Sequence, residues 1–474
     1  MVGSINCATG ISMFKPFDAK LKPKNLKQNY KGTCLTAAAH IITIVIGSGV
    51  LSLAWCVAQL GWIGGTVALI AFALITWFAS SLLADCYRDP VTGKRNHGYK
   101  EAVKSILGKR QFKFCVVVQH VTLLAVSIGY TITPAISMAA MIRSYCFHKE
   151  GHDARCHVSN KKFIIIFGAI QLFLSQIPDF HQLAGLSIIA ATMSFAYSTT
   201  GLCLTIAKIA EGKHVITSIT GLIVGVDVTS SEKLWNCLVA IGNIAYAYTF
   251  SVVLIEIQDT LKSSPPENKV MKKAAAVGIS ITGIFYMSCG LLGYAAFGNN
   301  APGNLLTGFG FYEPFWLIIL GNLFIIIQQV GAYQVISQLI FKLVEDWCSN
   351  RWPESSLLRE GNPIRIPLLG VYRFNMLRLV WRSVYVIVVT LVSMLFPFFN
   401  NILGLIGVSI WPLTVYFPVE MHISRLKIKK FSFKWIGLQA LSVFCLIVSL
   451  LVAAGSIEGI IRDLGTFKIL NSVS

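Results

Sequence analysis

The chain carries little charge for its length. Asp, Glu, Lys and Arg make up 13% of its 474 residues, whereas hydrophobic residues make up 55%. A soluble domain usually has about a quarter charged residues. The deficit lies in long apolar runs, which are typical of membrane-spanning helices.

Several motifs that would indicate other functions are missing from the sequence. No GxxxxGK[ST] loop supports an ATP-driven pump, and no HExxH or GxSxG motif supports hydrolysis. A TVGYG filter of the potassium-channel type is also missing, as are CxxC and His/Cys metal spacings. We therefore expect no enzyme, no metal site and no cofactor, and secondary transport is the leading class.

Membrane spans can be placed from the apolar runs, because a helix needs about 20 apolar residues to cross the hydrocarbon core. We predict an all-α protein with a tail at 1–33, a ten-helix transport core at 34–421, and a loop, an eleventh helix and a C-terminus at 422–474. The eleven predicted spans are 34–57, 62–85, 113–142, 163–180, 183–207, 234–257, 274–297, 314–341, 376–397, 399–421 and 435–457.

Basic residues concentrate on one side of these spans. With the N-terminus inside, the inner segments hold 30 Lys and Arg residues and the outer segments hold 10. Cytoplasmic loops are enriched in these residues, so we predict a cytoplasmic N-terminus and an extracellular C-terminus. The first 32 residues are polar and basic, and no cleavable signal peptide is predicted. This topology accounts for the net charge of +19, so no nucleic-acid partner is expected.

Two cysteines fall in one short predicted outer loop. An oxidising compartment permits a disulfide between Cys146 and Cys156. Two free thiols are the alternative.

The first and sixth spans both contain residues that weaken a helix. Gly47 and Gly49 flank Ser48 in the first span, and small, hydroxylated and aromatic residues surround Tyr248 and Thr249 in the sixth. Unwound backbone at membrane depth is tolerated where it lines a cavity. Paired breaks at matching positions of two inverted repeats indicate a substrate site. For the glycines alone, close helix packing is the alternative.

Three long segments carry a family resemblance. The chain reads GSGVLSLAW from residue 47, FSVVLIEIQDTLKSSPPENK from 250 and FPFFNNILGLIGVSIWPLTVYFPVEM from 396. In this order they resemble plant amino acid permeases of the amino acid/auxin permease family, in the APC superfamily. The resemblance covers about residues 32–470. It implies a leucine-transporter-type fold of two inverted five-helix repeats plus an eleventh helix. It also implies proton-coupled uptake of amino acids across the plasma membrane.

The implied fold places a substrate between spans 1, 3, 6, 8 and 10. The segment from Gly47 to Gly49 would offer N–H groups to an α-carboxylate, and the segment from Tyr248 to Phe250 would offer carbonyls to the ammonium. Tyr130 and Asn322 are equally compatible with buried packing. The expected substrate-binding residues are Ile46, Gly47, Ser48, Gly49, Tyr130, Tyr248, Thr249, Phe250 and Asn322.

Ionisable side chains inside spans are costly and commonly functional. At 1.5 Å per residue, His40 lies about 10 Å before Gly47, and Glu256 lies about 9 Å after Phe250, on the cytoplasmic side of the site. We expect His40 and Glu256 to carry or share a coupling proton, with His120 as a further candidate. The alternatives are a satisfied core histidine and a carboxylate that anchors its helix end.

Three functions remain open at this point. The first is a proton/amino-acid symporter, with amino acids, protons and membrane lipid as partners. The second is a carrier of another amine or of an organic anion such as auxin. The third is a sensor with a transporter fold, for which the predicted tail is short.

Overall fold

The computed structural model describes residues 32–90, 92–151, 154, 156, 158–176, 183–212, 214–308, 314–352, 363–366, 370–373 and 375–466. Helices dominate. The first half contains α1 (Cys34–Val45), α2 (Leu53–Asp85), α3 (Tyr99–Glu150), α4 (Asn160–Leu174), α5 (Leu183–Ala210), α6 (Ser230–Ala247) and α7 (Leu254–Gln258). The second half contains α8 (Glu267–Phe297), α9 (Phe315–Arg351), α10 (Met376–Leu395), α11 (Phe399–Gly407), α12 (Phe417–Leu426) and α13 (Phe433–Thr466).

Shorter elements connect these helices. A hairpin of β1 (Pro363–Ile366) and β2 (Gly370–Arg373) pairs antiparallel between α9 and α10. In the described part of the chain, the 3₁₀ turns are Ser48–Ser52, Ser251–Val253 and Gly298–Asn300, and a π-helical stretch, Ile410–Tyr416, joins α11 to α12.

The described residues contain nine helical segments that are long and apolar enough to cross a membrane. A shorter apolar helix, α1, precedes the first of them. The chain is therefore a multi-pass helical membrane protein, while the count of eleven crossings stays a prediction. The nine segments are Ser48–Asp85, Tyr99–Glu150, Ile188–Ala210, Ser230–Gln258, Glu267–Asn300, Phe315–Arg351, Met376–Leu395, Phe399–Leu426 and Phe433–Gly465.

The first two predicted spans meet at a single glycine. Gly61 is the one residue inside α2 with non-helical backbone angles, at φ 75°. A Cβ there would lie 2.3 Å from the carbonyl oxygen of Ile219, so the connection between α5 and α6 packs directly on this turn. The N–H of Leu222 also donates to the carbonyl of Ala58 at 3.1 Å.

Several helices, including α3, α8, α9 and α13, run further than the predicted spans. The third span was expected at 113–142, but α3 has 52 residues and bends at Gly108, where φ is 83°. The eighth was expected to end at 341, but α9 continues to Arg351. Apolar content measures the part of a helix that lies in lipid, whereas backbone hydrogen bonding continues through polar helix-forming residues beyond it.

The long helices pack against one another in pairs. α2 packs along α8, both α3 and α5 pack along α9, and α6 packs against α11 and α13. The contact between α6 and α11 is very close, because a Cβ on Gly407 would lie 2.1 Å from the carbonyl oxygen of Gly242. In the last turns of α3, Cys146 forms a disulfide with Cys156, which lies just beyond the end of this helix.

Candidate functional site

The first break separates α1 from α2. α1 ends at Val45, Gly47 is extended, and the helix resumes at Ser48 as a 3₁₀ turn that runs into α2. The first N–H groups of a helix have no partner within it. The resumed helix therefore presents its N-terminal N–H groups to the break. The break lies at Gly47 to Gly49, where the sequence predicts it.

The second break lies at the end of α6. α6 ends at Ala247, and a 3₁₀ turn resumes at Ser251 before α7. The N–H of Thr249 donates to the carbonyl of Tyr246 at 3.0 Å, and the carbonyl of Phe250 accepts from the N–H of Val253 at 3.0 Å. The predicted carbonyl segment is thus unwound, although the Phe250 carbonyl already has one internal partner.

The two breaks touch each other at Gly49. A Cβ on Gly49 would lie 2.8 Å from the Cα and 3.0 Å from the Cβ of Ala247. At Gly47, by contrast, the nearest atom would be the carbonyl oxygen of Ile44, at 3.8 Å. Gly49 is therefore required for close approach of the backbones, whereas Gly47 has room for a methyl group.

A tyrosine of α8 ties the two breaks together. The Tyr286 hydroxyl contacts the carbonyl of Val45 and lies 3.1 Å from the carbonyl of Ala247. These residues end α1 and α6, where carbonyls have no partner within the helix. The hydroxyl has a single proton, so the Val45 and Ala247 carbonyls share Tyr286 as their donor at the ends of both interrupted helices.

Hydroxyl groups surround this junction. The Ser48 and Tyr246 hydroxyls lie 3.2 Å apart, and the Tyr130 hydroxyl lies within reach of Tyr246. Among the described residues, the buried hydroxyls of Tyr197 and Tyr248 have no hydrogen-bond partner. We call Tyr130, Tyr197, Tyr246, Tyr248 and Tyr286 the tyrosine cluster.

Sequence reasoning included only two members of the tyrosine cluster as site residues. It missed Tyr197, Tyr246 and Tyr286. The available signal was a tyrosine in the apolar middle of a span, since a phenol in lipid needs a polar partner. Together with the free backbone groups, the cluster offers uncharged donors and acceptors suited to both ends of a zwitterion.

Asn322 is tied to a connecting segment rather than to a break. Its Nδ2 donates to the carbonyls of Leu306 and Ile318, at 3.1 and 2.9 Å. The neighbouring Leu305 N–H donates to the carbonyl of Leu51 in the resumed first helix, at 2.8 Å. Asn322 thus holds the segment that covers the first break, and its contact with substrate stays a prediction.

The candidate proton-coupling residues lie on three different helices, α1, α3 and α7. Glu256 Oε1 accepts from the N–H of Tyr99 at the start of α3, at 3.2 Å, and its Oε2 is buried without a partner among the described residues. His40 is half-buried on α1. His120 Nδ1 lies 2.6 Å from the Val116 carbonyl of its own helix. Within the described ranges, no hydrogen bond joins His40 to Glu256, so their shared role stays a prediction.

Near Glu256, charged residues join the α2–α3 connection to the α7–α8 connection. Asp259 accepts from the Tyr87 hydroxyl at 2.6 Å and pairs with His97 at 2.9 Å. The hydrogen bond to Asp259 raises the pKa of His97. Glu267 pairs with two arginines at 2.6 and 2.8 Å. We call this the ionic network: Tyr87, Arg88, Arg95, His97, Asp259 and Glu267.

Comparison with known proteins identifies the family of this chain. Residues 30–462 match the family model described as transmembrane amino acid transporter protein. The chain belongs to this transporter family. It is 58% identical over 442 residues to Amino acid permease 6 of Arabidopsis thaliana, covering 92% of each chain. It is 56% identical over 445 residues to Amino acid permease 1 of the same organism, covering 93% of this chain and 92% of that one.

These relatives confirm the expected membership of the amino acid/auxin permease family, and they are permeases rather than enzymes. Among solved structures, the chain resembles the inward-facing conformation of Mhp1, with a TM-score of 0.53 and 12% identity. The likeness covers 95% of this chain and 96% of that one, and concerns the fold alone. The family member thus has the expected leucine-transporter-type fold, with its first and sixth spans broken.

Proposed function

We propose that this chain is a proton-coupled amino acid symporter that works by alternating access. The observation that carries the proposal is the junction of the two broken helices, where Gly49 meets Ala247 and uncharged polar groups collect. A free amino acid is a zwitterion, and helix ends at a midplane break match its two charges without a charged side chain. The names of the Arabidopsis permeases support amino acids as the substrate class.

The proposed binding mode uses the two breaks differently. The α-carboxylate binds the N–H groups of residues 47–49 together with the Ser48 hydroxyl, since the Ile46 N–H already donates to the Ile42 carbonyl. The ammonium binds carbonyls of the segment Tyr248–Phe250. The tyrosine cluster surrounds the variable side chain, and Asn322 supports the segment that covers the site.

The proposed coupling uses Glu256 and His40. An ionised Glu256 interacts favourably with the N-terminus of α3, where it accepts from Tyr99. Protonation of Glu256 removes that charge and weakens its contact with the start of α3. Proton binding therefore favours opening of the bundle at the end that carries Glu256. His40 passes the proton between the substrate junction and Glu256.

The proposed location is the plasma membrane, with the N-terminus cytoplasmic and the C-terminus extracellular. The support is the distribution of basic residues, 30 on one side and 10 on the other. In this orientation the ionic network faces the cytoplasm and the disulfide faces the outside.

The test is uptake of a panel of labelled amino acids into oocytes at external pH 5 and pH 8, with membrane current recorded. Saturable uptake with inward current, larger at pH 5, is expected. His40→Gln and Glu256→Gln should lower the pH-dependent current more than the binding of substrate. Normal surface expression without amino acid uptake at either pH would refute the proposal and favour another solute or a sensor.

A further inference from the structure

The connection between α12 and α13, together with the first two residues of α13, is a strongly basic surface, which we call the basic loop (residues 427–434). Its four lysines are exposed, and none forms an ion pair with a described residue. The sequence has no Asp or Glu between residues 421 and 457. The lysines are Lys427, Lys429, Lys430 and Lys434. Their charge is therefore available to a partner outside the chain.

The same loop exposes large aromatic side chains. Phe431 is 78% exposed and Phe433 is 97% exposed. The Phe431 ring lies 5.3 Å from that of Trp435, at the start of α13. Exposed phenylalanine rings beside a membrane span gain by burial at the boundary between headgroups and acyl chains. A soluble anion would leave these rings in water.

The position of the loop fixes its distance from the bilayer. α12 and α13 belong to two membrane-crossing segments, and the basic loop is their short connection. Its lysines must therefore lie at the level of the lipid headgroups. Lysines at that level attract anionic lipids, within a Debye length of the surface.

We infer that the basic loop binds the headgroups of anionic phospholipids, with Phe431 and Phe433 inserted beside the acyl chains. The lysines pair with phosphate and carboxylate oxygens, and the rings remove apolar area from water. The proposed topology places the basic loop on the cytoplasmic side, so it decides only which leaflet the loop contacts. Lipid binding does not depend on which solute is transported.

The test uses the full purified chain in nanodiscs of phosphatidylcholine with a minority of phosphatidylserine. Lipids that stay bound after release are counted by native mass spectrometry. Enrichment of phosphatidylserine over its share in the disc is expected for the wild type. The variant K427Q/K429Q/K430Q/K434Q should lose most of this enrichment, and high salt should reduce it.

A matched control removes four charges elsewhere. The variant K109Q/K113Q/K269Q/K273Q neutralises exposed lysines of α3 and α8 and should keep most of the enrichment. Equal loss in both variants would mean a net-charge effect and would overturn the inference, as would a wild type without enrichment.

Two further measurements separate the parts of the inference. Phe431→Ser with Phe433→Ser should give a partial loss while all charges remain, and no loss would overturn the role of the rings. Glycerophosphoserine in solution should compete poorly, and efficient competition would identify a soluble anion site instead. Because lipid is counted directly, failure here is distinct from failure of amino acid uptake.

Discussion

The middle of the bundle and the ionic network join helices in different ways. At the middle, Gly49 lets two backbones touch and Tyr286 caps two helix ends, so the contacts are uncharged. At the ionic network, carboxylates of Asp259 and Glu267 pair with cationic side chains. Charge is costly in hydrocarbon but is tolerated near water. We therefore expect the middle of the bundle to be rigid and insensitive to pH. We expect the end that carries the ionic network to open and close reversibly and to respond to pH.

The largest expected effect is at the glycine where the breaks touch. Gly49→Ala places a methyl group 3.0 Å or less from Ala247 and must separate the helices, so nearly all uptake should be lost. Gly47→Ala has room and should still reach the cell surface folded. Uptake per molecule at the surface is the measurement. Equal transport by both variants would show that the close approach is dispensable.

The next effect concerns Tyr248 and Tyr286, whose rings meet edge to face near the breaks. Tyr286→Phe leaves buried carbonyls of Val45 and Ala247 without their donor, at a cost of about 1 to 2 kcal/mol. Tyr248→Phe removes a buried hydroxyl that has no partner among the described residues, so it should be neutral or slightly stabilising. Thermal unfolding of the two purified variants tests this difference, and a larger loss for Tyr248→Phe would reverse our assignment.

A smaller effect is expected at the ionic network. Glu267→Gln removes the carboxylate that Arg88 and Arg95 share, and this carboxylate is only 6% exposed. The end of the bundle that carries the ionic network should therefore open more often. Cys86 is fully buried beside it and can report opening through its rate of reaction with a thiol reagent, in a background lacking the other free cysteines. A several-fold faster rate is expected.

The control for this experiment is Glu458→Gln. Its ion pair with Arg462 on α13 is long, at 4.0 Å, and about one-third exposed, so it should contribute little. The Cys86 rate should then stay at the wild-type value. An unchanged rate in Glu267→Gln would mean that the ionic network does not hold this end closed.

Features that depend on local sequence could be predicted, whereas contacts that depend on helix packing could not. The first break was predictable because glycines at 47 and 49 weaken a helix locally, and the cysteine pair because both residues fall in one short predicted outer segment. The pairing of Arg88 with Glu267 joins residues 179 positions apart, and only the packing of α2 on α8 brings them together. The direction in which the Tyr246 and Tyr286 hydroxyls point depends on side-chain rotamers. The pattern of apolar residues does not predict these rotamers.

The smallest expected effect is the pH response of the ionic network. The pKa of His97 is raised by its hydrogen bond to Asp259 and by the charges of Asp259 and Glu101, against partial burial and the charge of Arg95. Protonated His97 is therefore the form that pairs with Asp259. This closing contribution is fully present below the ordinary histidine value of about 6.5 and is lost as pH rises through the raised pKa.

Because the His97 side chain is 53% exposed, solvent screens the pair and the change should be small, about twofold in the opening rate. The ratio of the Cys86 rate in His97→Gln to that in the wild type, taken at each pH, cancels the intrinsic pH dependence of the thiol. The ratio should exceed one at low pH and approach one at high pH. His120→Gln should leave it flat, since that ring bonds only the Val116 carbonyl of its own helix among the described residues. A flat ratio for His97→Gln would place the pH sensor elsewhere, with Glu256 as the next residue to test.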